Sequence, residues 1–350
     1  MLCKMAEEDY MDISFYYSSG NGSDYGGNFK VENDWVTIGA LAVVSIIGLL
    51  GNASIIAVIL LNLELRKSQI NILIIQLAIG DFMFLLVTAP IKIEHEIDFY
   101  WQFGSVACKA YRFGETLGIG VCVYSITAFS VGRFLGIVMK KGERNFTRIL
   151  VIAEWVIAVG VAIPTVFITV HEPTIRETEY ICRVPYETTA AQVYVVFWIC
   201  LLYVAPLGVI AYTNILVIVK LLQSTRKFSG EQVNRSLLKQ FRIRRNRAAM
   251  FILITVSFAV FWMPFFVFRI WHILGAGTAA NNPGLDALRK IHYYAAIANS
   301  CCNPFVMYMM SSKYRMALCC RLPAHKAGVV SGNSMRSGRA RTTRFSLSVR

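Results

Sequence analysis

The chain has 350 residues, of which 56% are hydrophobic and 16% are charged, whereas a soluble domain has roughly 45–50% apolar and about 25% charged residues. This composition is typical of a membrane protein. The formal net charge of +14 does not indicate a nucleic-acid-binding protein, because Lys and Arg lie in short segments between apolar runs rather than on one basic face.

Seven nearly uncharged runs are each about as long as a membrane-spanning helix requires. An open strand cannot satisfy its backbone groups in lipid, so all seven are predicted to be helices. The sequence therefore predicts an all-α bundle of seven transmembrane helices, called the first to seventh spans. They lie near residues 35–61, 70–91, 108–138, 147–170, 191–219, 248–273 and 287–310.

The basic residues orient the bundle. The connections on the side of the carboxyl terminus hold 24 Lys and Arg residues, and those on the other side hold 8. Basic residues stay cytoplasmic, which predicts an extracellular arm over 1–34, a bundle over 35–310, an amphipathic interfacial helix over 311–321 and a disordered cytoplasmic tail over 322–350. The arm lacks the apolar core of a cleavable signal peptide.

This topology also sorts the modification sites. Of the glycosylation sequons, only the one at Asn21 is extracellular and outside a span. Cys108 and Cys182 both fall in the oxidising compartment, so we expect a disulfide that fixes the loop after the fourth span across the outer mouth. Cys319 and Cys320, at the end of the interfacial helix, are candidates for palmitoylation.

The interfacial segment SSKYRMALCCRL reads as an amphipathic helix. We expect Tyr314, Met316 and Leu318 to face lipid, with Lys313 and Arg315 in water.

Asp81 and Glu154 lie inside spans, where ionisable residues are expensive and often functional. Asp81 ends the motif LAIGD in the second span, and nearby amides could complete a sodium site with it. The alternative is a protonated or hydrogen-bonded Asp81 that ties helices together. Glu154, in the fourth span, has no partner evident from the sequence. The amides are Asn52, Asn299 and Asn303.

Together these features resemble the rhodopsin-like family of G-protein-coupled receptors over residues 35–320. Each motif occurs in the span, and in the order, that the family requires. The motifs are Gly51-Asn52, LAIGD at Asp81, WQFG before Cys108, Arg133, Trp155, Pro206, Phe258 with FWMP at 261–264, and Asn303-Pro304.

Within the family, WQFGSVACK, GVCVYSITAFS and NSCCNPFVMYMMSSKYR resemble the bombesin, endothelin and invertebrate CCHamide receptors. The resemblance implies a plasma-membrane receptor for an extracellular peptide. It also implies heterotrimeric G protein as the partner, with arrestin and receptor kinases as further partners. The spans contain no pair of acids, Ser/His arrangement or HExxH motif of the kind that an intramembrane enzyme requires. The sequence also lacks the internal repeat that is typical of a transporter.

The resemblance also assigns an activation mechanism. Ligand binding would bias the bundle toward a state in which the sixth span moves outward, with Trp262 as the lever and Arg133 on the floor of the cytoplasmic cleft. The implied switch residues are Phe258, Trp262, Pro264, Arg133, Asn303 and Pro304.

Three positions depart from the family pattern. Gly132 replaces the acid that usually precedes Arg133, while Asn214 and Met307 stand where tyrosines are usual. Without the acid, the resemblance does not imply an inactive-state latch on Arg133, and raised basal signalling is expected. The alternative is an atypical receptor that binds ligand or recruits arrestin without efficient G-protein activation.

The predicted ligand pocket surrounds Glu115. Arg112, Glu115 and Ile119 share one helix face, and either Glu115 contacts the ligand or it pairs with Arg112. A wide mouth of mixed charge with aromatic residues favours a peptide over a lipid, and Arg269 and Arg289 could recognise an acidic group. The remaining predicted pocket residues are Lys92, Glu94, Trp198, Phe266 and Tyr293.

Overall fold

The computed structural model describes residues 35–98, 100–139, 143–174, 179–227, 235–274 and 283–319. Most of these residues lie in seven long helices. The all-α bundle predicted from the apolar runs is thus confirmed. The seven spans are Trp35–Leu61, Gln69–Ile97, Gly104–Ile137, Glu143–Ile168, Thr189–Lys227 with a π-helical turn at Cys200–Val204, Arg235–Ile273 and Pro283–Met310.

Several helices run beyond the predicted apolar limits. The second span continues from 91 to Ile97, and the sixth begins at Arg235 rather than near 248. The prediction counted only uncharged residues, whereas a helix whose ends lie in water can include charged ones. Six of the helices are long and apolar enough to cross a membrane, and the seventh packs against the first and sixth.

The bundle is apolar on its outside as well as in its core. Large hydrophobic side chains point outward, among them Phe167, which is 81% exposed, as expected for helices solvated by lipid. The core is filled by aromatic side chains of the second and sixth spans, with Phe84, Phe258 and Trp262 all fully buried.

The third span packs against its neighbours through small residues. A Cβ atom on Gly118 would lie 2.9 Å from the backbone nitrogen of Phe84, and a Cβ atom on Gly120 would lie 2.9 Å from the Cβ atom of Ala158. Both distances are below van der Waals contact. The second and fourth spans can therefore approach the third closely only because both positions are glycine.

A short hairpin follows the fourth span. Strands β1 (Val170–Pro173) and β2 (Tyr180–Arg183) are antiparallel, and His171 pairs with Cys182. The backbone N–H of Trp101 donates to the carbonyl of Tyr180 at 2.7 Å. The loop between the second and third spans is thus joined to the outer edge of the hairpin.

The short helix after the seventh span, Ser312–Leu318, corrects one expectation. Tyr314 is 5% exposed rather than facing lipid, because its hydroxyl donates to Asn71 Oδ1 at 2.8 Å. Met316 and Leu318 are exposed, as expected. Arg315 Nη1 donates to the carbonyls of Tyr308 and Met309 at 2.6 and 2.7 Å, and so caps the end of the seventh span.

Two of the four predicted segments, 1–34 and 322–350, lie outside the described residues. The short helix occupies 312–318 of the predicted 311–321. The assignment of the segments to the two sides of the membrane stays a prediction.

Candidate functional site

Glu115 is the centre of a buried polar cluster in the outer half of the third span. Its side chain is 3% exposed, and both carboxylate oxygens have partners. Tyr111 donates to Oε1 at 3.0 Å, and Arg112 Nη1 donates to Oε2 at 3.1 Å. These donors stand four and three residues before Glu115, which is the spacing at which helical side chains meet. Of the two predicted alternatives, the Arg112–Glu115 pair is present.

Arg269 of the sixth span completes the cluster from the opposite side. Its Nη2 atom lies 4.0 Å from Glu115 Oε2 and 3.5 Å from the Tyr293 hydroxyl, and its Nη1 atom donates to the Tyr186 hydroxyl. Arg112 also donates to the Tyr293 hydroxyl at 3.3 Å. Glu115 thus joins the third span to the sixth, and the two arginines link this pair to Tyr293 of the seventh.

The hairpin covers this cluster and is bonded to it. Cys108 and Cys182 form the predicted disulfide, which fixes β2 to the outer end of the third span. Arg112 Nη2 donates to the carbonyl oxygen of Cys182 at 3.3 Å. Arg112 in the pocket is therefore hydrogen-bonded to β2, so movement of the hairpin is linked to rearrangement of the pocket.

Ion pairs hold the base of the hairpin. Arg183 bonds Glu172 at 2.6 Å and binds both carboxylate oxygens of Glu187, at 2.7 and 2.9 Å. Partial burial acts to raise the pKa of Glu187, but the hydrogen bonds and charge of Arg183 outweigh it and hold that pKa below its ordinary value of 4.5.

Lys92 of the second span adds a third cation. Its Nζ atom lies 3.5 Å from the centroid of the Tyr293 ring, which is cation–π geometry. Among the described residues, no carboxylate lies within 4.0 Å of Nζ. Glu96, one helical turn away, instead accepts a hydrogen bond of 2.6 Å from the Tyr294 hydroxyl.

Aromatic rings connect the cluster to the middle of the sixth span. The Phe265 ring lies 5.2 Å from Tyr293 and 5.5 Å from Trp262, edge to face in both cases. Trp262 continues to Phe258 at 6.2 Å. These side chains are buried, so close packing would transmit a displacement of Tyr293 through Phe265 to Trp262.

The structure brings together five of the predicted pocket residues: Lys92, Arg112, Glu115, Arg269 and Tyr293. Ile119 is completely buried, and the rings of Trp198 and Phe266 lie 5.3 Å apart at a tilted angle. Glu94 makes none of the contacts described above, and the side chain of Arg289 lies outside the described residues.

Sequence reasoning missed two tyrosines of the cluster. Tyr111 could have been found, because it precedes Glu115 by four residues on a helix. Tyr186 lies in the loop after β2, where no helical period applies, and only the fold brings it to Arg269.

A second polar cluster surrounds Asp81 in the middle of the bundle. Asn303 Nδ2 donates to Oδ2 at 2.7 Å and Cys122 Sγ donates to Oδ1 at 3.3 Å. The side-chain amide atoms of Asn299 and the Oδ1 atom of Asn303 are buried without a hydrogen-bond partner. A carboxylate beside unsatisfied amide oxygens fits a small hard cation such as sodium.

Glu154 has a partner that the sequence did not reveal. The Ser125 hydroxyl donates to Glu154 Oε1 at 2.6 Å, and both side chains are buried. The adjacent Trp155 donates from Nε1 to Gln76 Oε1 at 2.8 Å. These two bonds tie the fourth span to the third and second.

The three departures from the family pattern lie at the other end of the bundle. Arg133 is 6% exposed and, with Gly132, borders a crevice between the second, third and fourth spans. Met307 and Asn214 are 1% and 9% exposed. Tyr308 lies 2.9 Å from the Ser54 hydroxyl, so its own hydroxyl bonds the first span.

The predicted modification sites are only partly described. Cys319 is exposed, as acylation requires. Asn21 and Cys320 lie outside the described residues.

Comparison with known proteins extends these observations. A family model described as 7 transmembrane receptor (rhodopsin family) matches residues 51–307. The neuropeptide CCHamide-1 receptor of Drosophila melanogaster is 28% identical over 290 residues, which are 78% of this chain and 57% of that receptor. The chain thus spans little more than half the length of that receptor.

Two further relatives cover more of their own length. A bombesin receptor of Bombina orientalis is 26% identical over 297 residues, which are 80% of this chain and 75% of the relative. Bombesin receptor subtype-3 of Ovis aries is 26% identical over 299 residues, which are 82% and 74%.

Proposed function

Because the chain belongs to the rhodopsin family of seven-transmembrane receptors, we propose that it is a cell-surface receptor for an extracellular peptide that signals through heterotrimeric G protein. The chain is a receptor rather than an enzyme, and its resemblance to the family is confirmed. The relatives, a neuropeptide receptor and two bombesin receptors, support a peptide as the ligand. The observation that carries the proposal is the cluster around Glu115, covered by the disulfide-fixed hairpin.

The chemistry of this cluster suits a peptide better than a lipid. Two guanidinium groups, one ammonium group and one carboxylate meet beside the phenols of Tyr186 and Tyr293, with aromatic rings below them. Such a surface offers charged hydrogen bonds and flat apolar contacts together, which peptide side chains use as anchors. A lipid tail would leave the buried charges unsolvated.

Signal transfer would use the aromatic stack. A ligand that displaces Tyr293 or Arg269 changes the packing of Phe265 against Trp262. Pro264 and Pro304 lie inside the sixth and seventh spans, and each lacks a backbone donor, so these helices bend more readily there. Ligand binding then favours a state in which the sixth span has moved outward and exposed Arg133 to the G protein.

The remaining assignments follow from this topology. The amino terminus is extracellular, with glycosylation at Asn21, and the carboxyl terminus is cytoplasmic, with palmitoylation at Cys319 and Cys320. Arrestin and receptor kinases would act on the cytoplasmic tail. A sodium ion held by Asp81, Asn299 and Asn303 would supply a positive charge that holds the second and seventh spans together.

A second candidate function is supported by the cytoplasmic end of the bundle. Met307 is buried where the family has a tyrosine, Asn214 replaces another tyrosine, and Gly132 leaves Arg133 without its neighbouring acid. These changes favour an atypical receptor that binds ligand or recruits arrestin without efficient G-protein activation.

The test is calcium release in cells that express the chain, challenged with bombesin-like, endothelin-like and CCHamide-like peptides beside untransfected cells. A response that depends on the chain supports the signalling receptor, and Arg133→Gln should keep surface binding while losing the response. Saturable binding without any calcium or G-protein response supports the atypical receptor. Absence of both binding and response contradicts a peptide ligand.

A further inference from the structure

The cluster around Glu115 has an excess of positive charge. Three cationic side chains converge on it from three different helices, and Glu115 is the one carboxylate that the described residues place among them. Glu96 lies nearby, but its carboxylate accepts from Tyr294 rather than from a cation. Counting both acids, the group still carries one positive charge more than negative. The three cations are Lys92, Arg112 and Arg269.

Glu115 has no capacity left to balance the third cation. Its oxygens accept from Tyr111 and Arg112 and lie within ion-pair distance of Arg269. Since two guanidinium groups already share this one charge, Glu115 is a structural counter-ion and is a poor partner for a cationic ligand. We therefore favour the internal pair as the main role of Glu115.

The cationic groups also have N–H donors that the contacts described above do not use. The contact described for Lys92 is the face of the Tyr293 ring, which leaves the hydrogens of the ammonium group that point away from the ring. The described hydrogen bonds of Arg269 use one donor on Nη1, to Tyr186, and one on Nη2, to Tyr293, with Glu115 4.0 Å from Nη2. Aromatic rings lie near its Cζ atom, the nearest being Phe265 at 5.1 Å. A guanidinium has five N–H donors, so Arg269 can donate to an additional oxygen of a ligand.

We propose that the ligand presents a free carboxylate, either its carboxyl terminus or an acidic side chain, to Lys92 and Arg269. This inference rests on the proposed function, because it specifies the chemistry of the ligand at the same site. A carboxylate between an ammonium and a guanidinium in an apolar-walled pocket forms charge-assisted hydrogen bonds, which are about twice as strong as neutral ones. A peptide amide without another acidic group would leave the cationic excess unbalanced.

The experiment uses small probes and needs no signalling. The purified, detergent-solubilised full chain is heated with N-acetyl-Gly-Phe, with its carboxamide, or with N-acetyl-Asp-Phe carboxamide, all at one ionic strength. A ligand that binds the folded state raises the unfolding temperature according to its dissociation constant. We expect an acidic probe to bind on the order of tenfold more tightly than the neutral amide, equivalent to about 1.4 kcal/mol.

The arms of the experiment distinguish the two sources of the carboxylate. Preference for N-acetyl-Gly-Phe indicates a carboxyl terminus, and preference for N-acetyl-Asp-Phe carboxamide indicates an acidic side chain. Lys92→Gln and Arg269→Gln should each remove the preference, while Arg269→Lys keeps the charge and should retain most of it. Lys109→Gln, which removes a positive charge from the same end of the third span but not from the cluster, should have no effect.

Two results overturn the proposal. One is a wild-type protein that the acids stabilise no better than the amide up to the solubility limit. The other is an acid preference that survives unchanged in Lys92→Gln and Arg269→Gln. Neither result depends on G protein, so the two proposals can fail separately. If the protein prefers acids in this assay but neither binds nor responds to any peptide in cells, only the peptide-receptor proposal is contradicted.

Discussion

The hydroxyl groups of Ser54 and Tyr308 lie 2.9 Å apart and join the first span to the seventh. The residue before Tyr308 is Met307, which is 1% exposed and occupies the inward position. A shift of one residue turns a helical side chain by about 100°. The phenol that the family pattern directs into the bundle therefore fastens two helices together in this protein.

Removing this contact should weaken the described state. Tyr308→Phe deletes only the hydroxyl, so we expect a loss of about 1 kcal/mol in stability, a lower unfolding temperature and a higher basal second-messenger output. Ser54→Ala should act in the same direction, and the double variant should cost less than the two single effects added, because they share one bond. Thermal unfolding and basal output measure both effects.

Tyr194→Phe is the matched control for this pair. It deletes a phenol bond of 2.9 Å to the Val161 carbonyl, in the outer half of the bundle. It should lower stability to a similar degree and leave basal output unchanged. Fully additive effects of Ser54→Ala and Tyr308→Phe would contradict the coupling.

Restoring the acid next to Arg133 should reduce basal signalling. A Cβ atom on Gly132 would meet Leu73 Cδ1 at 3.6 Å, an ordinary contact, so the helix can accept a side chain there. Gly132→Asp places a carboxylate beside the Arg133 guanidinium, and we expect basal output to fall several-fold at equal surface expression. Gly132→Ala tests the side chain without the charge, and equal output from all three proteins would show that no such latch forms.

Glu154 should be replaceable by its amide but not by an apolar residue. Glu154→Gln keeps an oxygen that accepts from Ser125, and it removes a carboxylate that is expensive to ionise inside the membrane. Its unfolding temperature should equal or exceed that of the wild type. Glu154→Leu leaves the buried Ser125 hydroxyl without this acceptor, which costs about 1–3 kcal/mol. If Gln proves as damaging as Leu, the charge itself is required.

The polar cluster at Asp81 should make stability depend on sodium. We expect the wild type to unfold at a higher temperature in sodium chloride than in choline chloride of equal ionic strength, since only the smaller cation fits among Asp81, Asn299 and Asn303. Asp81→Asn should abolish this difference. Identical unfolding of the wild type in the two salts would favour an Asp81 that serves only to tie helices together.

The hairpin should lose its ionic support in acid. Because the folded-state pKa of Glu187 lies below its ordinary value of 4.5, the Arg183–Glu187 pair contributes stability above that value and loses it as pH falls through the lower, folded-state pKa. The wild type should therefore unfold at a slightly higher temperature than Glu187→Gln near pH 7, and the two curves should converge as the pH falls below 4.5 and through the lower, folded-state pKa. A gap that is constant with pH would exclude a titrating pair.

The spans and the pairing of Cys108 with Cys182 could be predicted from the sequence because each rests on a local or topological rule. Apolar runs of the required length have few alternatives in lipid. Two cysteines assigned to the same oxidising side had few other partners. Local helical spacing likewise predicted that Arg112 and Glu115 share a face.

Contacts between distant residues could not be predicted in this way. Ser125 with Glu154 and Asn71 with Tyr314 depend on the rotation of two helices about their axes, which hydrophobic pattern alone does not fix when both faces of a helix are apolar. Tyr314 was assigned to lipid for this reason. An amphipathic pattern predicts which side chains face lipid. A polar atom on a neighbouring helix, such as Asn71 Oδ1, can instead draw a tyrosine hydroxyl inward.

Gly118 and Gly120 indicate which spans stay fixed when the bundle moves. Because glycine lets the third span lie this close to Phe84 and Ala158, we expect the second, third and fourth spans to move together as one body. A ligand that bridges Lys92 of this body and Arg269 can then displace only the sixth and seventh spans. The third span is therefore the static helix against which the sixth and seventh spans move. Replacing Gly118 or Gly120 with a larger residue should prevent folding rather than alter signalling.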